Sequence, residues 1–433
     1  MLVAVALVEI NSTHAANPII PNRGVTDPHI HIFNDRAYLF ASHDRSAASK
    51  KFVMDDWWCW SSDDLVNWKL ESVLKPEQTY IGKPYDECFA TDAAWRNGKY
   101  YWYFSEHNLQ IGVAVSGSPA GPWIDPLKKP LLPLSLTPTH QYDPTVFRDE
   151  DGQCYLVFGL RNYHIARLNE DMISLAEKPR ELVRLKEDGT PILADDKNFL
   201  HKYRGNYYLS WGCSYAMSTN LYGPYQLKRT LFRVENFEPG CEKPTWPSGV
   251  QQGRHGSFFE WHHQWYFACC DMSRTGNRYF RDAIISYVHY RANGEIADIK
   301  VDSLGVGEYD AKRGPIEAEN YFAASPGTEQ RETAGGGFVV GAINDGDYLV
   351  YPNIHGLVGK TKIQINVTGN KGCAIELHDQ SASGKLLQTC VLPANGAAKY
   401  VFELPPLPDT ASLCFVFRGK ASDLLQFDSF QID

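Results

Sequence analysis

Polar and apolar residues alternate along much of this chain in short runs, and the runs come in pairs. A period of two is that of a strand with one buried face. Each pair is divided by a short polar or glycine-containing turn, which is the pattern of a β-hairpin. Five segments show it: "DPHIHIFNDRAYLFAS", "DAAWRNGKYYWYFSE", "DPTVFRDEDGQCYLVFG", "KNFLHKYRGNYYLSWG" and "HGSFFEWHHQWYFACC". The second strand of each carries a marker tyrosine, Tyr38, Tyr101, Tyr155, Tyr208 and Tyr266, at spacings of about 53 to 63 residues. Units repeating at such a period are close to propeller blades in length, and five of them predict a five-bladed β-propeller in an all-β chain. "SSDDLVNW", "GVAVSGSPAGPW" and "CSYAMSTNLYGPY" follow the first, second and fourth hairpins and supply outer strands and turns.

The repeat stops near residue 303. "SLGVGEYDAKRGPIEAENY" is glycine-rich and charged, and the strands after it are shorter and lack the marker. The expected organisation is therefore an export-signal remnant at 1–16, the propeller at 17–305, a linker at 306–314, and a β-sandwich of jelly-roll type at 315–433, a size that suits such a fold.

Composition narrows the partners. The chain has 433 residues, 43% hydrophobic and 13% aromatic, with a net charge of -9. An acidic balance with a pI near 5.9 argues against nucleic acid or an anionic membrane as the main partner, since both reward a basic face. No apolar run reaches the roughly 18 residues of a membrane span. The opening "MLVAVALVEI" is too short for one and is followed by small residues in "THAANP", which reads as the end of a secretory signal or as an ordinary terminus. Export to the periplasm or the exterior is the expectation. The ten cysteines show no CxxC spacing, and Cys269 and Cys270 are adjacent in an apolar strand, so buried free thiols are expected rather than a zinc site.

A propeller brings the first strand of each blade to a central channel, so residues opening the repeats converge from distant places in the sequence. Two repeats open with Asp-Pro, at Asp27 and Asp143. Carboxylates facing one pocket are what glycosidic cleavage requires, because one group protonates the leaving oxygen while another activates water or attacks carbon.

Taken together, "DPHI", "SSDDLVNW", "NGKYYWYFS", "YDPTVFRDEDGQCYLVFG", "FLHKYRGNYYLSWG" and "HGSFFEWHHQWYF" resemble glycoside hydrolase family 43 over roughly residues 17 to 305. The resemblance implies an inverting enzyme that removes arabinofuranosyl or related units from plant polysaccharides, most simply an α-L-arabinofuranosidase. A β-xylosidase, a galactofuranosidase-type hydrolase and a non-hydrolytic carbohydrate-binding propeller are the alternatives. It further implies that Asp27 is the general base, that Asp143 orients the acid and raises its pKa, that His255 stands in the channel near a metal ion or its waters, and that Arg281 contacts the sugar. Trp58 and Phe89 are candidate faces for the substrate. The family's acid is a glutamate four residues before the leucine of a motif like "FLHK"; counting back from Leu200 gives Asp196, one methylene shorter. Three readings follow: Asp196 is the acid, a glutamate such as Glu87 or Glu242 replaces it, or the site binds sugar with little turnover. Lys197, beside Asp196, would depress the pKa of an acid it faced.

Residues 315 to 433 resemble a carbohydrate-binding module of family 6 through "PIEAENY", "GGGFVVGAINDGDYLVYPNI" and "LLQFDSFQID". The resemblance implies a structural calcium ion on Glu317, Glu319 and Asp428, in addition to an ion near His255. Relatives carry an aromatic residue where this chain has Ala342 and an asparagine near Gln426, which weakens the usual sugar cleft. The expected partner is an arabinose- or xylose-containing glycan, bound by a monomer.

Overall fold

The computed structural model describes residues 16–193, 197–241, 254, 256–396 and 398–433. Of the stretch read as an export-signal remnant, 1–16, only Ala16 falls within that set. Among the described residues there is no helix longer than one 3₁₀ turn, and none long and apolar enough to cross a membrane.

Five sheets follow one another along residues 25–288. The first holds β1 (Val25–Phe33), β2 (Arg36–Asp44), β3 (Met54–Ser62) and β4 (Lys69–Leu74) in that order. The second holds β5 (Cys88–Arg96), β6 (Lys99–Glu106) and β7 (Gln110–Ser116). The third holds β8 (Thr145–Arg148), β9 (Cys154–Phe158), β10 (His164–Arg167) and β11 (Arg180–Glu181). In the fourth, β12 (Arg184–Leu185) lies parallel to the outer strand of an antiparallel set, β13 (Asn198–Tyr203), β14 (Asn206–Trp211), β15 (Ser214–Ser218) and β16 (Tyr225–Thr230). The fifth holds β17 (Gly256–Trp261), β18 (Gln264–Asp271) and β19 (Asp282–Val288). All five hairpins read from the sequence are present.

The turns explain the tightness of the hairpins. Asn34-Asp35, Asn97-Gly98, Arg204-Gly205 and His262-His263 have positive φ at both residues, the geometry whose twist matches that of the flanking strands. Two histidines are poor residues for that geometry, and they are held from outside. His262 Nε2 lies 2.9 Å from Asp35 Oδ1, its ring stacks on Trp261, and the His263 carbonyl accepts the Tyr321 hydroxyl at 2.7 Å. Gly256 has a different role: a Cβ there would meet the Ala268 carbonyl at 1.7 Å, so only glycine lets β17 lie this close to β18.

The first strands of the five sheets touch in chain order, β1 on β5, β5 on β8, β8 on β13 and β13 on β17, and β17 returns to β1. The chain start joins the fifth sheet as well. Ile19 N–H donates to the Ala283 carbonyl at 2.9 Å, and the Asn17 amide donates to the Ile285 carbonyl at 2.9 Å. Apolar clusters fill the spaces between neighbouring sheets, for example Phe40, Trp57, Trp102 and Phe104 between the first and second.

After residue 305 two six-stranded sheets face each other across a core that includes Leu349, Tyr351, Phe415, Phe427 and Phe430. One runs Tyr309–Asp310, Tyr348–His355, Thr410–Arg418, Cys373–Asp379 and Leu386–Leu392, with Ala323–Ala324 beside the second of these; the other is centred on Gln426–Ile432. The expected linker 306–314 thus already gives a short strand to this domain. Nine of the ten cysteines are buried and all are free, as the sequence suggested.

Candidate active site

Asp27 and Asp143 lie in one small cavity of about 80 Å³, lined also by Phe52, Met54, Phe89, Ala90, Asn108, Lys197 and Arg281. They reach it in the same way. Both precede a proline, which offers no N–H, and both have left-handed backbone, with φ of 51° at Asp27 and 53° at Asp143. For a non-glycine residue that conformation is uncommon and costs of the order of 1–2 kcal/mol. Pairing of β1 with β2 shifts register between Thr26 and His29, so the Asp27 N–H leaves the ladder and donates to Cys270 Sγ at 3.1 Å. The Asp143 N–H donates to Ser105 Oγ at 2.9 Å, and its carbonyl accepts the Asn198 amide at 2.9 Å.

The electrostatics centre on Arg281. Its guanidinium donates to Asp27 Oδ1 at 3.1 Å and grips Asp44 through Nε at 3.0 Å and Nη2 at 3.1 Å. Burial disfavours its charge, but Asp27 and Asp44 hold its pKa above the ordinary arginine value. Ser42 Oγ donates to Asp27 Oδ2 at 3.1 Å. Both Asp27 carboxyl oxygens are therefore engaged, and the residue is only 4% exposed.

Beneath the two aspartates lies a latch. Asp92, fully buried, is 2.8 Å from His29 Nδ1 and 2.6 Å from His31 Nε2, while its other oxygen accepts the Val146 N–H at 2.6 Å. His29 is two residues from Asp27 and Val146 three from Asp143, so Asp92 ties together the strands bearing both. Burial would raise its pKa, yet the two imidazoles keep it well below the carboxylate norm. Burial, and next the charge of Lys197, push His29 down to about 4. His29, His31 and Asp92 are close enough together to suggest a metal site. The Lys197 charge nearby and the Ala93 and Val146 N–H donors already on Asp92 fit a latch instead, in which His31 hydrogen-bonds to Asp92 and His29 packs against it.

Of the residues read from the sequence, Asp27, Asp143, Phe89 and Arg281 come together. Trp58 does not line the cavity; it stacks on His43 at 3.7 Å. Glu87 is also outside the lining, with the Tyr85 hydroxyl on its carboxylate at 3.1 Å. Asp196, Glu242 and His255 lie outside the described residues. Sequence reasoning missed Phe52, Met54, Asn108, Asp44 and Cys270. A signal existed for Ser42, Ser105 and Cys270, since each stands four residues after a marker tyrosine. In the C-terminal domain Glu319 Oε2 is buried without a hydrogen-bond partner. Burial, with the charges of Glu317 and Asp428 adding to it, pushes Glu319 up to about 8, and Lys300 offsets part of this.

Paired carboxylates in a narrow pocket at the meeting of several sheets are the arrangement a glycoside hydrolase requires, and the family match makes that the class of this protein. Residues 15–296 match the glycosyl hydrolases family 43 and residues 317–433 the carbohydrate binding module (family 6); the chain belongs to glycosyl hydrolase family 43. It is similar to a xylosidase/arabinosidase of Bacteroides ovatus, 28% identical across 65% of this chain and 97% of that one. It is also similar to an arabinoxylan arabinofuranohydrolase of Paenibacillus polymyxa, 26% identical across 96% of this chain and 74% of the relative. The fold of both domains resembles the crystal structure of a family 43 arabinoxylan arabinofuranohydrolase from Bacillus subtilis in complex with cellotetraose, at a TM-score of 0.55, 23% identity and 97% coverage of each chain.

Proposed function

We propose that the chain is an inverting hydrolase that releases arabinofuranosyl or xylosyl units from arabinoxylan, using a five-bladed propeller. The ring of first strands and the joining of the chain start to the fifth sheet support the propeller. Relatives named as a xylosidase/arabinosidase and as an arabinoxylan arabinofuranohydrolase support the sugar and the polymer respectively. The observation that carries the mechanism is the convergence of Asp27 and Asp143, both buried, on one cavity with Arg281.

Asp27 is the general base. Its carboxylate is kept ionised by Arg281 and Ser42 and takes a proton from water as the water attacks the anomeric carbon. Asp143 faces the same space and, as a fixed negative charge, favours the protonated form of the acid. Asp196 is our assignment for that acid, on the sequence count from Leu200. Glu317, Glu319 and Asp428 hold a structural calcium ion in the second domain. The buried, partnerless Glu319 oxygen beside two further carboxylates suits a hard cation with oxygen ligands.

The test is hydrolysis of aryl arabinofuranosides and xylopyranosides, with the anomeric form of the first product read by NMR. Inversion is expected, together with a loss of about 100- to 10,000-fold in kcat for Asp27→Asn. Retention of configuration, or no turnover across the panel, would refute the assignment.

A further inference from the structure

We propose that Cys270 is a positioning residue that fixes the Asp27 carboxylate for catalysis; this rests on the reading of Asp27 as the base. The sulfur touches Asp27 twice. It accepts the Asp27 N–H at 3.1 Å and its thiol lies 3.6 Å from Asp27 Oδ1, with Thr26 Oγ1 a further neighbour at 3.2 Å. The first contact satisfies the N–H that the left-handed backbone turns out of the ladder, and the second restrains the carboxylate itself. Cys270 is completely buried, and burial and the adjacent Asp27 charge push its thiol up to about 12, so it keeps its proton and can donate at any working pH.

The internal repeat gives an independent reason. Cys270 stands four residues after the marker Tyr266, just as Ser105 stands four after Tyr101 and Ser42 four after Tyr38. Ser105 Oγ accepts the Asp143 N–H, and Ser42 Oγ donates to Asp27 Oδ2. One site of the repeat is thus used three times to hold the two aspartates. In the fifth unit it carries a thiol, which accepts like Ser105 and donates like Ser42. Cys270 approaches on β18 while Arg281 comes from the segment entering β19, so the fifth sheet grips the base from two points.

The experiment compares Cys270→Ser, Cys270→Val and Cys270→Ala in the full chain, on whichever aryl glycoside the enzyme cleaves. Valine keeps bulk but neither donates nor accepts; serine restores both. Cys270→Val and Cys270→Ala are expected to lose about 10- to 100-fold in kcat with KM changed far less, the cost of a reacting group misplaced by ~1 Å. The acidic limb of kcat/KM should move upward, since a donor to the carboxylate is lost. Cys270→Ser should recover most of kcat and return the limb. Wild-type kcat and an unmoved limb in Cys270→Val, with Asp27→Asn inactive, would overturn the proposal alone. An equal loss in folded Cys270→Ser and Cys270→Val would also overturn it, since packing would then be the cause. An active Asp27→Asn would remove the underlying reading and this proposal with it.

Discussion

Replacing Arg281 by methionine removes a guanidinium from between two buried carboxylates while keeping much of the side-chain length. At the 3.1 Å separation of Arg281 and Asp27, Coulomb attraction with an effective dielectric near 20 is about 5 kcal/mol. At ~1.4 kcal/mol per unit that bounds the effect on the Asp27 pKa at roughly 4 units. Asp44 shares the same cation, so a rise of about 1–3 units is expected, typical of a carboxylate losing one opposite charge. In the proposed mechanism the acidic limb of kcat/KM reports the base, and it should rise by that amount. Stability changes too, because leaving buried charges unpaired costs of the order of 3–5 kcal/mol. The sign with pH follows: in the variant, Asp27 and Asp44 have folded pKa values above their unfolded ~3.9, so their protonated forms favour the folded state. The deficit should be largest at neutral pH and shrink as pH falls toward 4. Urea denaturation across that range and kcat/KM profiles on the same preparations are the assays. An unmoved limb together with a deficit independent of pH would refute the electrostatic account of Arg281.

His201 offers a second pH test. It is stacked on Phe258 at 4.3 Å and on Tyr208 at 4.7 Å, and burial pushes it down to about 3. Below about pH 6.5 the unfolded chain binds this proton and the folded one does not, so ~1.4 kcal/mol of stability is lost per pH unit from this group. His201→Phe should flatten that part of the stability curve between pH 6.5 and 4; an unchanged slope would count against it. Asp92→Asn, which weakens the latch to His29, His31 and Val146, should cost about 1–3 kcal/mol and lower kcat less than Asp27→Asn does, as denaturation and steady-state kinetics would show. Chelation with EDTA should lower the melting temperature of the full chain and added Ca²⁺ restore it, by an amount equivalent to about 2.7 kcal/mol at 100 times Kd. Glu319→Gln should abolish the response, and a melting curve indifferent to chelator would refute the calcium assignment.

What was legible in the sequence was whatever repeats. The five hairpins could be read because period-two alternation and turn chemistry are local properties, and Asp27 and Asp143 because both open a repeat with proline behind them. Arg281 and Phe89 were reached only through family resemblance. Asp44 carried no local signal, since its importance comes from a partner 237 residues away. The aromatic run around Trp58 promised a sugar platform, but alternation sends successive side chains to opposite faces, and Trp58 packs on His43 while Trp57 is buried between sheets. Cys270 was read only as a buried thiol. Its contact with Asp27 depends on how the fifth sheet meets the first, which spacing along one strand cannot reveal.

The turn at His262-His263 has a consequence for modularity. The Gln264 amide donates to the Glu319 carbonyl at 2.6 Å and to the Tyr321 carbonyl at 3.1 Å, and Ala324 N–H reaches the His262 carbonyl. The hairpin that bears Cys270 at one end is thus embedded at the other in the first residues of the appended domain. Two units that correspond to separate sequence families are, in this chain, poorly suited to being shuffled as interchangeable cassettes. A swapped or truncated second domain would strip the support from a strained turn about eight residues, or roughly 26 Å of strand, from the base, so evolution or engineering that exchanges the appendage must also rebuild the hairpin it rests on.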